Sequence, residues 1–174
     1  MAEAEKSADV ANSSSDRDGK AAPAASTSPS QADGGPPKPA RLVPVPDPTT
    51  EPFWEATRER RLLAQQCGDC EHWVFYPRPV CPNCGSRALR WKQLSGRGTV
   101  YTFSVIHRPA HPGMAPIVPY VVALVDLDEG IRMMSNVVDC PPSEVRIGMR
   151  VEAVFEDLTS EITLPLFRPE MPDA

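Results

Sequence analysis

The sequence predicts a mainly β protein: an N-terminal helix, a small ribbon built around cysteines, and a C-terminal barrel. Three observations predict it. Residues 67–84 read CGDCEHWVFYPRPVCPNC, two Cys-x-x-Cys pairs ten residues apart. Five strand-like runs follow between residues 98 and 167, with no helix-period segment between them. One charged stretch with apolar ends, EPFWEATRERRLLA, precedes both and reads as a helix.

Residues 1–45 read as a disordered tail. Apart from alanine, Met1 and Val10 are the only apolar residues of the first forty. Such a stretch cannot bury enough apolar surface to offset the entropy of ordering it. Its start, MAEAEKSADV, is acidic and leads into no apolar core of about 7–15 residues, so it does not read as a signal peptide. The chain also lacks the run of about 20 apolar residues that a transmembrane helix needs. The expected compartment is the cytoplasm, where thiols stay reduced and paired CxxC motifs bind metal rather than form disulfides.

Residues 46–64 form the expected docking helix, approached through the proline-rich LVPVPDPTT (42–50) in extended or polyproline conformation. Thr50 is placed to cap it, Glu51 suits its positive end, and Pro52 is tolerated in the first turn. Phe53 and Trp54 open the helix and Leu62 and Leu63 close it. The result is an apolar stripe for docking, not a helix buried all round.

Residues 65–94 form the ribbon. Two residues between paired cysteines allow a tight turn that aims both sulfurs at one point, with Gly68 inside the first turn and Gly85 just after the second. Pro77 and Pro79 lie in the spacer, which is long enough for a hairpin bringing Cys67 and Cys70 opposite Cys81 and Cys84. Four thiolates suit one tetrahedral zinc at about 2.3 Å per bond and leave no position open for water or substrate. The metal expected is therefore one structural Zn2+. Iron in the same cage, redox-active, and four ordinary buried thiols are the other readings. Zinc in the purified, colourless protein separates them.

Residues 95–170 form the barrel. The runs are GTVYTFSVI (98–106), YVVALVDL (120–127), IRMMSNVV (131–138), VEAVFEDL (151–158) and ITLPLF (162–167). DEG (128–130) supplies a hairpin turn, and RPAHPGMAPIVP (108–119), with four prolines, is a loop. PPSEVRIG (141–148) has room for one helical turn. Five short strands without βαβ units fit a closed or partly closed Greek-key barrel of the OB type.

Other chemistry is hard to find. His107 and His111 are spaced i, i+4, but Pro109 and Pro112 oppose a helix there. His72 lies within the ribbon, where four cysteines already suffice. Cys140, beside Pro141 and Pro142, reads as a packing residue. SGRG (95–98) leads into a strand, which suits backbone freedom at the start of the barrel rather than a phosphate cradle. No G-x-S-x-G elbow, P-loop or G-x-G-x-x-G is present, and no catalytic residue is assigned.

Charge divides the modules. Residues 51–94 hold seven Lys/Arg and five Asp/Glu, whereas 95–174 hold six and eleven, within a net charge of -5. Arg58, Arg60, Arg61, Arg78, Arg87, Arg90 and Lys92 make the helix and ribbon locally basic. They form either a solvated face or contacts to an anionic ligand or acidic partner. Single-stranded nucleic-acid binding, which OB barrels and ribbons both support, needs a basic groove with stacking aromatics. Here the barrel is acidic, and Tyr101, Phe103, Tyr120, Phe155 and Phe167 lie in runs that read mostly as core.

The order FWEATRERRLLAQQCGDC, YPRPVCPNCGS, SGRGTVYTFSVIHRP, PYVVALVDLDEGIRMMSNVV, RIGMRVEAVFED and LPLFRPE resembles a known series. It is similar to the OB-fold proteins with a rubredoxin-like zinc ribbon that accompany thiolase-like, acyl-CoA-handling enzymes. The resemblance covers about residues 46–170, and Cys67, Cys70, Cys81 and Cys84 match its metal positions. It implies an accessory subunit without catalytic residues of its own. Such a subunit binds a lipid-transfer-protein-type thiolase-like partner in a hetero-oligomer, with acyl-CoA at or near the interface. The partner's chemistry would be condensation, thiolysis or retro-aldol cleavage, including that of steroid side-chain CoA thioesters. A free-standing acyl-CoA-binding protein and a nucleic-acid-binding protein are the alternative readings.

Overall fold

Helix α1 spans Glu51–Arg58 in a computed structural model that describes residues 41–109 and 111–171. The predicted tail lies outside the described residues up to residue 40. Thr50 occupies the cap position without a side-chain cap bond. Asp47 takes that work instead: its carboxylate accepts from the backbone of Thr49 at 2.8 Å and Thr50 at 2.9 Å.

The helix ends six residues earlier than the sequence suggests. Arg60 turns left-handed at φ 60°, and Arg60 N–H donates to Thr57 O while Arg61 N–H reaches back to Ala56 O. That is the double bond of a Schellman stop, without the glycine that usually marks one. Arg60 is held there by its side chain, which donates to Phe155 O at 3.0 Å and to Asp157 at 2.6 Å. Leu62 and Leu63 therefore leave the helix, and Leu63 begins a strand.

Strands β1 (Leu63–Cys67), β2 (Trp73–Val74) and β3 (Leu89–Gln93) form the ribbon sheet in the order β2-β1-β3. The remaining strands are β4 (Arg97–Ile106), β5 (Tyr120–Leu127), β6 (Arg132–Val137), β7 (Arg150–Asp157) and β8 (Thr163–Pro169). They close in the order β4-β5-β6-β8-β7. All pairings are antiparallel except β6 with β8, which is the OB topology. The proline-rich loop holds a short 3-10 turn, Pro112–Ile117. PPSEVRIG forms turns rather than a helix, with Glu144 N–H bonded to Pro141 O.

Strand β5 looks continuously apolar in sequence yet alternates strictly in burial. Val121, Ala123, Val125 and Leu127 point inward with Val100, Met133, Val137, Val151 and Phe167, as the two-residue period of a pleated strand requires. Phe53, Leu62, Ala64 and Leu94 belong to the same core. The apolar stripe of α1 thus packs against this chain's own β1, β7 and β8. Tyr101 departs from the core reading. A bulge between Val100 and Thr102 turns it outward, 50% exposed, with the Arg132 guanidinium 3.4 Å from its ring centre. No helix among the described residues is long and apolar enough to cross a membrane.

The barrel rim is laced with ion pairs. Arg132 grips both carboxylate oxygens of Asp126 at 2.6 and 2.9 Å. Arg150 does the same to Asp128 and also reaches Glu170 at 3.0 Å. Hydrogen bonds from Arg132 and Arg150 hold the Asp126 and Asp128 carboxyls below their ordinary range. A folded-state pKa below the unfolded value stabilises the protein above about pH 4, and that contribution fades as pH falls through the folded value. Both groups are well solvated, so the effect is small and salt-screened. The thermal midpoint is expected to hold steady from neutrality to about pH 5 and to fall below about pH 4. Replacing Arg132 with Met should flatten part of that acid limb. An unchanged limb would remove the pair from the account.

Candidate metal centre

Two matched knuckles build the site. In the first, Cys67 N–H donates to His72 O, and Glu71 N–H donates back to Cys67 O, both at 3.0 Å. In the second, Cys81 N–H donates to Ser86 O at 2.8 Å, and Gly85 N–H donates to Cys81 O at 2.9 Å. The residue after each second cysteine is left-handed, Glu71 at φ 59° and Gly85 at φ 75°. The predicted use of Gly85 therefore holds, while Gly68 serves a different purpose. Its N–H donates to Ala88 O at 2.7 Å, and a Cβ there would come 3.2 Å from that oxygen.

The knuckles converge. The sulfurs of Cys67, Cys70, Cys81 and Cys84 all lie within 4.8 Å of one another. Cys67 to Cys84 and Cys70 to Cys81 are 3.6 Å apart. Four sulfurs placed tetrahedrally at 2.3 Å from one ion would stand about 3.8 Å apart, so the four cysteines are positioned to bind one metal ion. Asn83 directs its amide to Cys70 Sγ at 3.5 Å, and Ser86 Oγ donates to Asp69, tying one knuckle to the other.

Charge is shared unevenly among the thiols. The Asn83 amide and the backbone at His72 pull Cys70 down to about 6. At Cys84 the backbone of Ser86 also favours thiolate, yet the neighbouring thiols, Cys70 first, push it up to about 12. One thiolate is easy and a second beside it is costly. A divalent cation resolves that conflict, which is the chemistry of a four-thiolate cage.

Packing gives the cage its purpose. Beneath the knuckles the buried cluster consists of Cys67, Val74 and Cys81, with Cys70 and Leu89 against it. Two aliphatic side chains cannot hold such a tip together unaided.

The other candidates stay apart from the four cysteines. His72 and His107 are exposed, and His111 Nδ1 accepts from Gly113 N–H at 3.1 Å, capping the 3-10 turn. Among the described residues only the four cysteines form a metal-competent group. Cys140 is half-buried against the barrel core, and burial followed by Glu144 and Asp139 pushes its thiol up, the reverse of an activated nucleophile. Of the basic residues, Arg60 pairs with Asp157 and Arg61 with Glu59. Arg78, Arg87, Arg90 and Lys92 are exposed and in no ion pair among the described residues. Sequence reasoning missed the aromatic group at the helix–ribbon junction. Phe53 meets Trp54 edge-on at 5.1 Å, and Phe75 lies 6.0 Å from Phe53 and 4.6 Å from Tyr76.

A short helix, a four-cysteine ribbon and a closed five-stranded barrel define a zinc-ribbon/OB-barrel protein. The chain belongs to the ChsH2/DUF35 family. Residues 54–90 match the family model of the ChsH2 rubredoxin-like zinc ribbon domain, and residues 91–156 match that of the ChsH2 C-terminal OB-fold domain. A probable enoyl-CoA hydratase alpha subunit of Thermomonospora curvata is 43% identical over 121 residues, which are 69% of this chain and 37% of that protein. This chain thus spans little more than a third of that relative. A DUF35 domain-containing scaffold protein of Methanocaldococcus jannaschii is 39% identical over 62% of this chain and 77% of its own length. Among solved structures, a chain of the Ltp2–ChsH2(DUF35) aldolase superposes with a TM-score of 0.67 at 40% identity. The match covers 73% of this chain and 98% of that one.

Proposed function

We propose that this protein is an accessory subunit of an acyl-CoA-processing assembly, docking onto a thiolase-superfamily enzyme and contributing no catalytic residue. The observation that carries this reading is the match to nearly the whole of one chain of the Ltp2–ChsH2(DUF35) aldolase. The likeness to a hydratase subunit and to a scaffold protein supports the same class of role. The finer reading is a retro-aldol or thiolytic step on a CoA thioester, a steroid side-chain thioester among the candidates.

Cys67, Cys70, Cys81 and Cys84 hold one zinc in this reading, and four thiolates complete its shell. The ion supplies rigidity to the ribbon and the basic surface around it. The residues beside it orient and do not react: Asn83 steadies Cys70, and Ser86 fixes Asp69.

Co-expression with a thiolase-superfamily enzyme from the same organism is the test. The two should co-purify, this chain alone should cleave no acyl-CoA, and the enzyme alone should be insoluble or at least about tenfold less active. A fully active enzyme that never co-purifies with this chain would end the proposal.

A further inference from the structure

Residues 41–46, RLVPVP, lead up to α1 outside any helix or strand. No backbone hydrogen bond joins them to another described residue. The segment is nevertheless tied down at both ends. Arg41 Nη1 donates to Glu156 Oε1 of β7 at 2.9 Å. At the other end Asp47 N–H donates to Thr50 Oγ1 at 3.0 Å, and the Asp47 carboxylate holds the turn into the helix.

Between these ties, burial repeats every three residues. Arg41 and Pro44 are half-buried, whereas Leu42, Val43, Val45 and Pro46 are exposed. A period of three belongs to polyproline II, with three residues per turn and about 3.1 Å of rise per residue. An α-helix would repeat at 3.6 and a strand at two. Pro44 and Pro46 fix φ near the value this conformation needs, and six of residues 36–48 are proline. One edge, Arg41 and Pro44, therefore lies toward the rest of the chain. The other two, Leu42 with Val45 and Val43 with Pro46, face outward. Leu42 is 71% exposed, Val43 48% and Val45 89%. Aliphatic side chains clustered in this way mark a contact surface, and no described residue covers them.

Such a ridge has the form of a ligand. Aromatic-lined grooves read polyproline segments, and they gain from a conformation already formed, because little entropy is left to lose. Charge is not the attraction offered. The Arg41 side chain is only 18% exposed and is committed to Glu156, and residues 42–46 carry no charge. Size decides against a second copy of this chain as the occupant. Six residues with one edge turned inward fall short of the roughly 800 Å² that each side of a standard interface buries.

We propose that residues 42–46 are a preformed polyproline ridge that docks into an aromatic-lined groove of a partner protein, separate from the thiolase-type enzyme. The ridge lies outside both matched domains, residues 54–90 and 91–156, so it does not rest on the acyl-CoA reading.

Photo-crosslinking of the full chain in its source organism tests it, with benzoylphenylalanine placed singly at positions 43, 44 and 45. Positions 43 and 45 should capture the same protein through a peptide that holds Trp or Tyr. Position 44, on the inward edge, should capture at least about tenfold less. The captured protein, once purified, should bind the unaltered chain equally well at about 0.05 and 0.5 M salt, because an apolar contact is not screened. Val45→Asp should weaken that binding at least about tenfold, a loss of about 1.4 kcal/mol, with zinc content, melting temperature and co-purification of the thiolase-type enzyme unchanged. Capture of nothing at 43 and 45, or equal capture at 44, overturns the ridge. So does a crosslink that stays within the chain or joins two copies of it. Binding that salt weakens, or that Val45→Asp leaves intact, overturns the apolar contact. Loss of the thiolase-type enzyme in Val45→Asp would assign the ridge to that interface and end the proposal of a separate partner. The two readings fail separately, because co-purification reports the enzyme and crosslinking the ridge.

Discussion

A Cys81→Ser chain is expected to lose its zinc and, with it, the order of the ribbon. Cys81 is 1% exposed and stands 3.6 Å from Cys70 Sγ, so no water can take its place without opening the knuckle. A serine hydroxyl keeps its proton at neutral pH and is a poor ligand for zinc, which takes the deprotonated thiolate. Structural zinc sites hold about 10–16 kcal/mol of binding energy that is also folding energy. Only Val74 and Leu89 remain to hold the tip. The barrel keeps its own interior, from Val100 to Phe167, and should survive. The loss should therefore be local. Hydrogen exchange should speed at the amides of Cys67, Glu71, Cys81 and Gly85, whose bonds define the knuckles, while strand amides of β5 stay protected. Cys140→Ser is the control: a half-buried thiol outside the cage, expected to retain one zinc. Full zinc and protected knuckles in Cys81→Ser would show that the cysteines do not form the cage described.

The cage was readable in sequence because its information is local. Cys-x-x-Cys fixes two ligands on one turn, and the same turn repeated fixes the other two. The five barrel strands were readable because β-branched and aromatic runs alternate with turn residues. What escaped depended on distant parts of the chain. The early end of α1 turns on Arg60, whose left-handed backbone is held by Phe155 and Asp157 nearly a hundred residues away; with no glycine there, the sequence reads on as helix. Glu71 likewise holds the place that Gly85 fills in the second knuckle. Tyr101 was misplaced because one bulge reverses a strand's inside and outside. The aromatic wall around Phe53 and Phe75 joins two modules, and no window of sequence contains both.

Gly98→Ala should be among the most damaging single-methyl changes in the barrel. Gly98 sits where β4 pairs on both sides, with Leu127 of β5 and Val151 of β7. A Cβ at this position would lie 2.6 Å from Asp126 O and 2.8 Å from Val125 Cγ1. The oxygen belongs to the backbone of a paired strand and cannot swing aside as a side-chain tip would. Strands β4 and β5 must therefore separate where the barrel closes, and Val125, fully buried, must shift with them. Overpacking of this kind costs about 1–3 kcal/mol, and the backbone clash puts Gly98→Ala at the upper end, roughly a 10 °C loss in melting temperature. Gly98→Val should be worse. Gly85→Ala sets the comparison, because its φ of 75° is strained for alanine yet nothing lies within 4 Å of the added carbon. Its cost should be about 1–2 kcal/mol, from backbone conformation alone. The ordering carries the argument: a strained backbone in open space is tolerated better than a relaxed one with no room. Should Gly98→Ala melt within a degree or two of the unaltered protein, the close approach of β4 to β5, and the barrel closure built on it, would be wrong.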